Sequence, residues 1–202
     1  MATDRGGGTM TVKGGVYVTC GVDSPGLYST GSIVVDGAAV TATGSEGAVI
    51  EGSNTISLTN TTLSGFKKSG IMIMQISSGD AQGINGVFSM TGGELTGHEG
   101  PLFFVSNAKG TFNLTGGSAL TSTINGSNTA KSVVLSLDAS SKWTVTADSY
   151  LITLKDTAGI SGTTITNIVG NGHAVRYSAA ANPQLGGKTY TLVGGGQLIP
   201  AA

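Results

Sequence analysis

The chain is poor in charge and in cysteine, and each shortage excludes a class of protein. Only 10% of its 202 residues are charged and the formal net charge is −1, so no basic surface is available for nucleic acid or anionic lipid. Cys20 is the single cysteine, which excludes an intramolecular disulfide. We expect Cys20 to be a small interior residue. No apolar run reaches the roughly 18 residues that a membrane-spanning helix requires.

The N-terminus lacks the apolar segment of a signal peptide. A strand of the repeat described below already begins at Thr9, close to the first residue. We therefore interpret Met1 as the start of an excised fragment.

Glycine is what the chain has in excess. It accounts for 34 residues, more than twice the usual share. The three-residue period of collagen is absent, so turns that need positive φ are the simplest use of these glycines. Hydrophobic residues still make up 39% of the chain, and their period of two allows them to fill a core.

One sequence motif recurs along the chain: a strand in which apolar and polar residues alternate, a tight polar or glycine turn, and a second strand. The second apolar residue of each copy marks its position, and successive markers are 23, 23, 32, 24 and 23 residues apart. A strand-based period near twenty is typical of a solenoid, because one unit cannot bury its own apolar face. The markers are Val12, Val35, Leu58, Met90, Leu114 and Leu137.

Alternation also predicts which side chains of each coil face inward. In the first strands these include Ile33, Ile56, Phe88 and Phe112. A third, strongly apolar strand begins at a glycine in each regular coil. The predicted inward residues of the second strands are Val18, Val40, Leu63, Leu95, Leu120 and Trp143 or Val145.

These patterns predict an all-β fold, a single right-handed parallel β-helix (solenoid) over residues 1–202. It has about 23 residues and three short strands per coil, with coils about 4.8 Å apart. Regular coils occupy 1–156, and 157–202 form irregular terminal coils and a C-terminal cap.

One coil carries an inserted loop at about 75–85. Insertions in solenoids emerge on one face, often the binding face, so Gln75, Asp80, Gln82 and Asn85 are candidate binding residues. The alternative is that the loop is a tolerated insertion without a binding role.

The first coil has an open strand edge at Thr9, Met10, Thr11 and Val12. Unpaired edges invite pairing with another chain. We therefore expect a homo-oligomer built by end-to-end stacking of coils.

Four segments resemble adhesin-like β-helix repeat proteins of bacteria and archaea. The resemblance implies the right-handed parallel β-helix of pectate lyases and autotransporter passengers, and a secreted or cell-surface parent protein. It implies no activity, because the shared motifs are structural. The segments are DSPGLYSTG at 23–31, AVIEGSNTI at 48–56, NIVGNGH at 167–173 and GGKTYTL at 186–192.

Glu46 and Glu99 are the candidate catalytic pair. Aligning the third strands on their glycines places the two carboxylates two coils apart, about 9–10 Å by strand spacing, near the upper separation for an inverting glycosidase. Lys67 and Lys68 fall between them, so an ion-pair strip on a wet edge is the simpler interpretation. We expect no enzyme activity, and a polysaccharide lyase or glycoside hydrolase is the alternative.

No metal or cofactor site is expected. His98 and His173 are the only histidines, and neither has a partner at metal-binding spacing. Outward Thr, Ser and Asn side chains suit weak polyvalent contacts with glycans or cell surfaces. Because flat threonine arrays order water, ice binding is a second alternative. The sequence thus favours a non-catalytic structural or adhesive solenoid.

Overall fold

The computed structural model describes residues 1–3, 7–66, 69–74, 83–97, 103–104 and 107–201. Strands dominate this part of the chain, and one short 3-10 helix spans Pro183–Leu185. The strands are β1 Thr9–Lys13, β2 Val16–Thr19, β3 Leu27–Ser29, β4 Ser32–Asp36, β5 Ala39–Ala42, β6 Ala48–Glu51, β7 Thr55–Gly65, β8 Ile71–Met74, β9 Asn85–Gly97, β10 Phe103–Phe104, β11 Lys109–Thr115, β12 Ala119–Thr121, β13 Ser132–Leu137, β14 Lys142–Thr144, β15 Ser149–Leu151, β16 Thr153–Lys155, β17 Ile160–Ser161, β18 Thr164–Val169, β19 Ala174–Tyr177, β20 Tyr190–Val193 and β21 Gln197–Pro200.

The strands stack in parallel as a β-solenoid of about eight turns with about 23 residues per turn, which confirms the predicted fold. Face A consists of β1, β4, the first half of β7, the first half of β9, β11, β13 and β16. Face B consists of β2, β5, the second halves of β7 and β9, β12, β14, β18 and β20. Face C begins with β3, β6, β8 and β10 and continues through β15, β19 and β21.

Inward side chains form columns because each strand pairs in register with the next. Phe88 and Phe112 are neighbours in one column, and their ring centroids lie 6.3 Å apart with a tilt of 49°. The predicted marker residues pair from coil to coil as expected. The column containing the two rings runs through Met10, Ile33, Ile56, Phe88, Phe112, Leu135 and Leu154.

The first coil departs from the predicted inward pattern. Tyr17, and not Val18, pairs with Val40 and packs against the core. Val18 is 57% exposed because the register turns it outward. Cys20 is likewise exposed, so its expected interior position is wrong. Trp143 and Val145, the two candidates of the sixth coil, are both fully buried.

Turns between faces A and B use left-handed backbone, as predicted. Gly37, Asn60 and Gly93 all have positive φ. A side chain at Gly93 would also lie against the backbone of Thr61 in the preceding coil. This corner buries hydroxyl groups as well, since Thr61 and Ser118 are fully buried and hydrogen-bond to carbonyl groups of Thr59, Thr115 and Met90.

The C-terminal end of the stack is closed. Antiparallel pairing of β20 with β21 replaces the parallel ladder, which cannot then be extended from these strands. Asn182 lies in the segment that crosses this end, and its Oδ1 accepts a hydrogen bond from the backbone N–H of Leu154 at 2.8 Å. The hydroxyl of Tyr177 donates to the carbonyl of Lys188 at 2.7 Å. The expected C-terminal cap is therefore present.

A pair of substitutions tests the inward and outward assignment on β11. Phe112→Ala should lower the free energy of unfolding by about 3–5 kcal/mol, because it removes a fully buried ring and leaves a cavity. Thr111→Ala, one position away on the outer side, should cost less than about 1 kcal/mol. Urea unfolding followed by circular dichroism measures both. Equal losses in the two variants would contradict the assignment.

Candidate functional site

Glu46 lies just before β6 and is nearly buried, with 6% of its surface exposed. Its Oε2 accepts a hydrogen bond from the Ser45 hydroxyl at 2.6 Å. The solvent-exposed position expected for Glu46 is therefore not observed. The carboxylate is held by a neighbouring hydroxyl in a closely packed corner, where an added Cβ at Gly47 would lie 2.7 Å from the carbonyl of Gly70.

Glu99, the other half of the predicted pair, lies outside the described residues, as do Lys67 and Lys68. The register of face C nevertheless differs from the alignment that brought the two carboxylates together. β8 pairs with β10 by matching Met72 with Phe103, whereas the glycine alignment matches Met72 with Leu102. The alignment that produced the pair is therefore wrong by one residue at this coil.

The predicted binding loop also lies largely outside the described part, which contains neither Gln75, Asp80 nor Gln82. Asn85 is exposed and begins β9, where it pairs with Lys109 of the next coil. Its backbone N–H donates to the Ser53 hydroxyl at 3.4 Å. Asn85 is thus a strand residue that marks the end of the insertion.

The described residues contain no cluster of three or more His, Cys, Asp or Glu side chains that could hold a metal ion. His173 lies in a turn before β19, and its backbone N–H donates to the carbonyl of Gly170 at 2.9 Å. His98 lies outside the described residues. Among the described helices, none has the length and apolar character needed to cross a membrane.

Face B carries an unbroken column of outward hydroxyl groups, which we call the hydroxyl column. Its members pair in register from coil to coil and are half-buried, with the spacing of parallel strands, about 4.8 Å, between them. The next outward column mixes small apolar and polar side chains, Ala39, Thr62, Glu94, Ala119 and Lys142. The hydroxyl column comprises Thr41, Ser64, Thr96, Thr121 and Thr144.

Face A has shorter runs of outward hydroxyls. Thr55 donates to the Ser32 hydroxyl at 3.1 Å, and the amide of Asn113 donates to the Ser89 hydroxyl at 3.2 Å. Val34 interrupts the pattern. Part of the hydrogen-bonding capacity of this face is therefore satisfied between coils, and its array is less regular than the hydroxyl column.

A groove of about 610 Å³ opens between the turn at Gly172–Ala174 and the β20–β21 hairpin. Asp148 lies beside it and accepts hydrogen bonds from the backbone N–H of Ala174 at 2.9 Å and from Arg176 at 3.1 Å. These two hydrogen bonds lower the pKa of the Asp148 carboxyl, and the bond from Ala174 has the larger effect. The Arg176 guanidinium lies 5.3 Å from the Tyr150 ring centroid.

Sequence reasoning missed this small charged cluster beside the groove. Asp148 and Arg176 belong to successive coils, and β15 pairs with β19 by matching Tyr150 with Arg176. The regular repeat had already weakened in this part of the sequence, so no periodic signal brought these residues together.

Comparison with known protein families, curated proteins and solved structures finds no match for this chain. The solenoid fold is therefore established from the strand pairing alone.

Proposed function

We propose that the chain is a non-catalytic structural and adhesive β-solenoid of a secreted or cell-surface protein. The hydroxyl column is the observation that carries the proposal. It presents five polar groups of one kind along a straight line, at intervals set by the backbone ladder. Such a surface suits an extended, repetitive ligand better than a small molecule.

Glycan chains fit this chemistry. Each hydroxyl group is both a donor and an acceptor, as are the hydroxyls of a sugar. A single such hydrogen bond contributes little against water, but several contacts along one chain raise the overall avidity. Binding would therefore be weak per site and dependent on the length of the glycan.

Removing the hydroxyls without changing the side-chain shape tests this function. The triple variant Thr96→Val, Thr121→Val, Thr144→Val should reduce retention on its polysaccharide ligand at least tenfold, because about 1 kcal/mol per lost hydrogen bond accumulates over three positions. A glycan array identifies the ligand and an affinity column measures retention.

The control variant carries Thr55→Val, Thr111→Val and Thr153→Val on face A and should retain wild-type binding. Equal binding by both variants, or no binding by the wild type, would overturn the glycan proposal. Depolymerisation of the ligand that is lost in Glu46→Gln would instead support a polysaccharide lyase or glycoside hydrolase. Thermal hysteresis abolished by the face B variant would support ice binding.

The first coil supports a second element of the proposal, end-to-end association. Gly8 and Gly14 flank β1, and both form backbone hydrogen bonds with the neighbouring coil. In a parallel ladder, successive residues of a strand direct their backbone groups to opposite edges. Thr9 and Thr11 therefore direct their N–H and C=O groups to the edge of β1 that faces away from β4. No strand in the described part of the chain pairs with that edge.

The opposite end of the stack is closed by the β20–β21 hairpin, so head-to-tail stacking on that end is blocked. Association would be head to head, with the first coils of two copies in contact and their strands antiparallel. Val16 and Val22, which are 78% and 81% exposed, would lie at or beside this contact. Their burial would add to the backbone hydrogen bonds.

Thr11→Pro tests this association selectively. Proline removes the N–H that faces the open edge while leaving the bonds between β1 and β4 in place. Light scattering across a concentration series should show a dimer for the wild type and a monomer for Thr11→Pro. A wild-type chain that stays monomeric at high concentration, or a variant that still dimerises, counts against the proposal.

A further inference from the structure

A buried polar pair fastens the irregular part of the stack near its C-terminal end. Asp156 follows β16 and is 3% exposed, and Asn167 in β18 is 8% exposed. Asp156 Oδ1 accepts hydrogen bonds from Asn167 Nδ2 at 2.9 Å and from the backbone N–H of Gly159 at 3.1 Å. The carbonyl of Gly159 in turn accepts from the N–H of Thr166 at 2.8 Å. The pair thus ties the antiparallel β17–β18 hairpin to the end of β16 in the same coil.

The other oxygen of each side chain is left without a partner. Asp156 Oδ2 and Asn167 Oδ1 are buried and have no hydrogen-bond partner among the described residues. They flank one point, because a Cβ added to Gly159 would lie 2.6 Å from Asp156 Oδ2 and closer still to Asn167 Oδ1. Two buried acceptors that face the same space require a donor, since each unsatisfied oxygen is costly to bury.

The amide of Asn167 cannot supply this donor by rotating. Its Nδ2 already donates to Asp156 Oδ1 and to the carbonyl of Asp138, the latter at 3.3 Å. Reversing the amide would place its oxygen against these two acceptors. The orientation of Asn167 is therefore fixed by its surroundings.

We propose that Asp156 is a neutral carboxylic acid whose Oδ2–H donates to Asn167 Oδ1, so that a single proton taken from solvent fastens the β17–β18 hairpin. A protonated carboxyl has one donor and keeps acceptor capacity on its other oxygen. This added donor is what the two buried oxygens, Asp156 Oδ2 and Asn167 Oδ1, otherwise lack. Ionisation would remove the donor and leave a buried negative charge facing the oxygen of Asn167.

The charged groups around Asp156 do not offset that negative charge. Lys155 and Lys142, on β16 and β14, are exposed, and the Asp138 carboxylate is turned towards Gly116, Ser140 and Ser141. Burial raises the pKa of the Asp156 carboxyl above its ordinary value of 3.8, and the hydrogen bonds from Asn167 and Gly159 oppose the rise only in part. No charged side chain contributes to this balance.

The raised pKa determines how stability depends on pH. The folded chain binds this proton more tightly than the unfolded chain. The stabilisation is therefore fully present below pH 3.8 and is lost as pH rises through the folded pKa. Each unit by which the folded pKa exceeds the unfolded one lowers the folding equilibrium constant tenfold at high pH.

Asp156→Asn tests the proposal, because its amide reproduces the donor and acceptor of the neutral acid at every pH. Urea unfolding should show the variant at least tenfold more stable than the wild type at pH 8, with the difference vanishing near pH 3. Carboxyl ¹³C chemical shifts should show Asp156 titrating above 3.8. A variant that is less stable than the wild type at pH 8, or a titration at or below the ordinary value, overturns the proposal.

Asp138→Asn provides a control of opposite sign. Hydrogen bonds, first from the N–H of Gly116, lower the pKa of Asp138 to about 2, so this variant should be less stable than the wild type at pH 8. That difference should close as pH falls through about 2. A calcium-dependent rise in the wild-type midpoint that is absent in Asp156→Asn would place a cation between the two oxygens and would also overturn the proposal. An unchanged midpoint with calcium or chelator supports the proton.

Discussion

The parallel, in-register pairing of each coil with the next is the constraint on which the rest of the structure depends. Because side chains alternate along a strand, a fixed register places every inward residue above the corresponding residue of the coil below. Phe88 therefore meets Phe112 and Trp143 stacks on Leu120. The same ladder sets the outward side chains in lines, so the hydroxyl column is a direct consequence of how the core is packed.

The sequence predicted the core well because alternation and period agree on faces A and B. Ile33, Ile56 and Leu58 occupy their expected columns. The prediction failed at Val18 because both alternating sets of positions in the segment Val16–Thr19 contain an apolar or aromatic side chain. Hydrophobicity favours the two valines, but the ladder places Tyr17 over Val40. Pairing register, which is set by the turn at Gly14–Gly15, decided the outcome.

The candidate sites had a weaker signal in the sequence than the core had, for a related reason. Alignment on glycines tolerates a shift of one residue, and the pairing of Met72 with Phe103 shows such a shift on face C. The hydrogen bond of Asp156 with Asn167, within one coil, and that of Asp148 with Arg176, between two coils, lie in the irregular part of the stack where no period remains. Buried hydroxyls at the corners, such as Thr61, were missed because polar turn residues are usually exposed.

Distances measured between outward positions along face A test the stacking most directly. After Cys20→Ser, spin labels on cysteines at Thr11 and Asn113 should lie about 19 Å apart, and labels at Thr11 and Ser136 about 24 Å apart, measured at the backbone and set by strand spacing over four and five coils. A label at Val34 should be about 5 Å closer to Ser136 than a label at Thr11 is, by the same spacing. Distances that grow in this way with the number of coils support the account. Distances without a regular increment of about 5 Å per coil would contradict it.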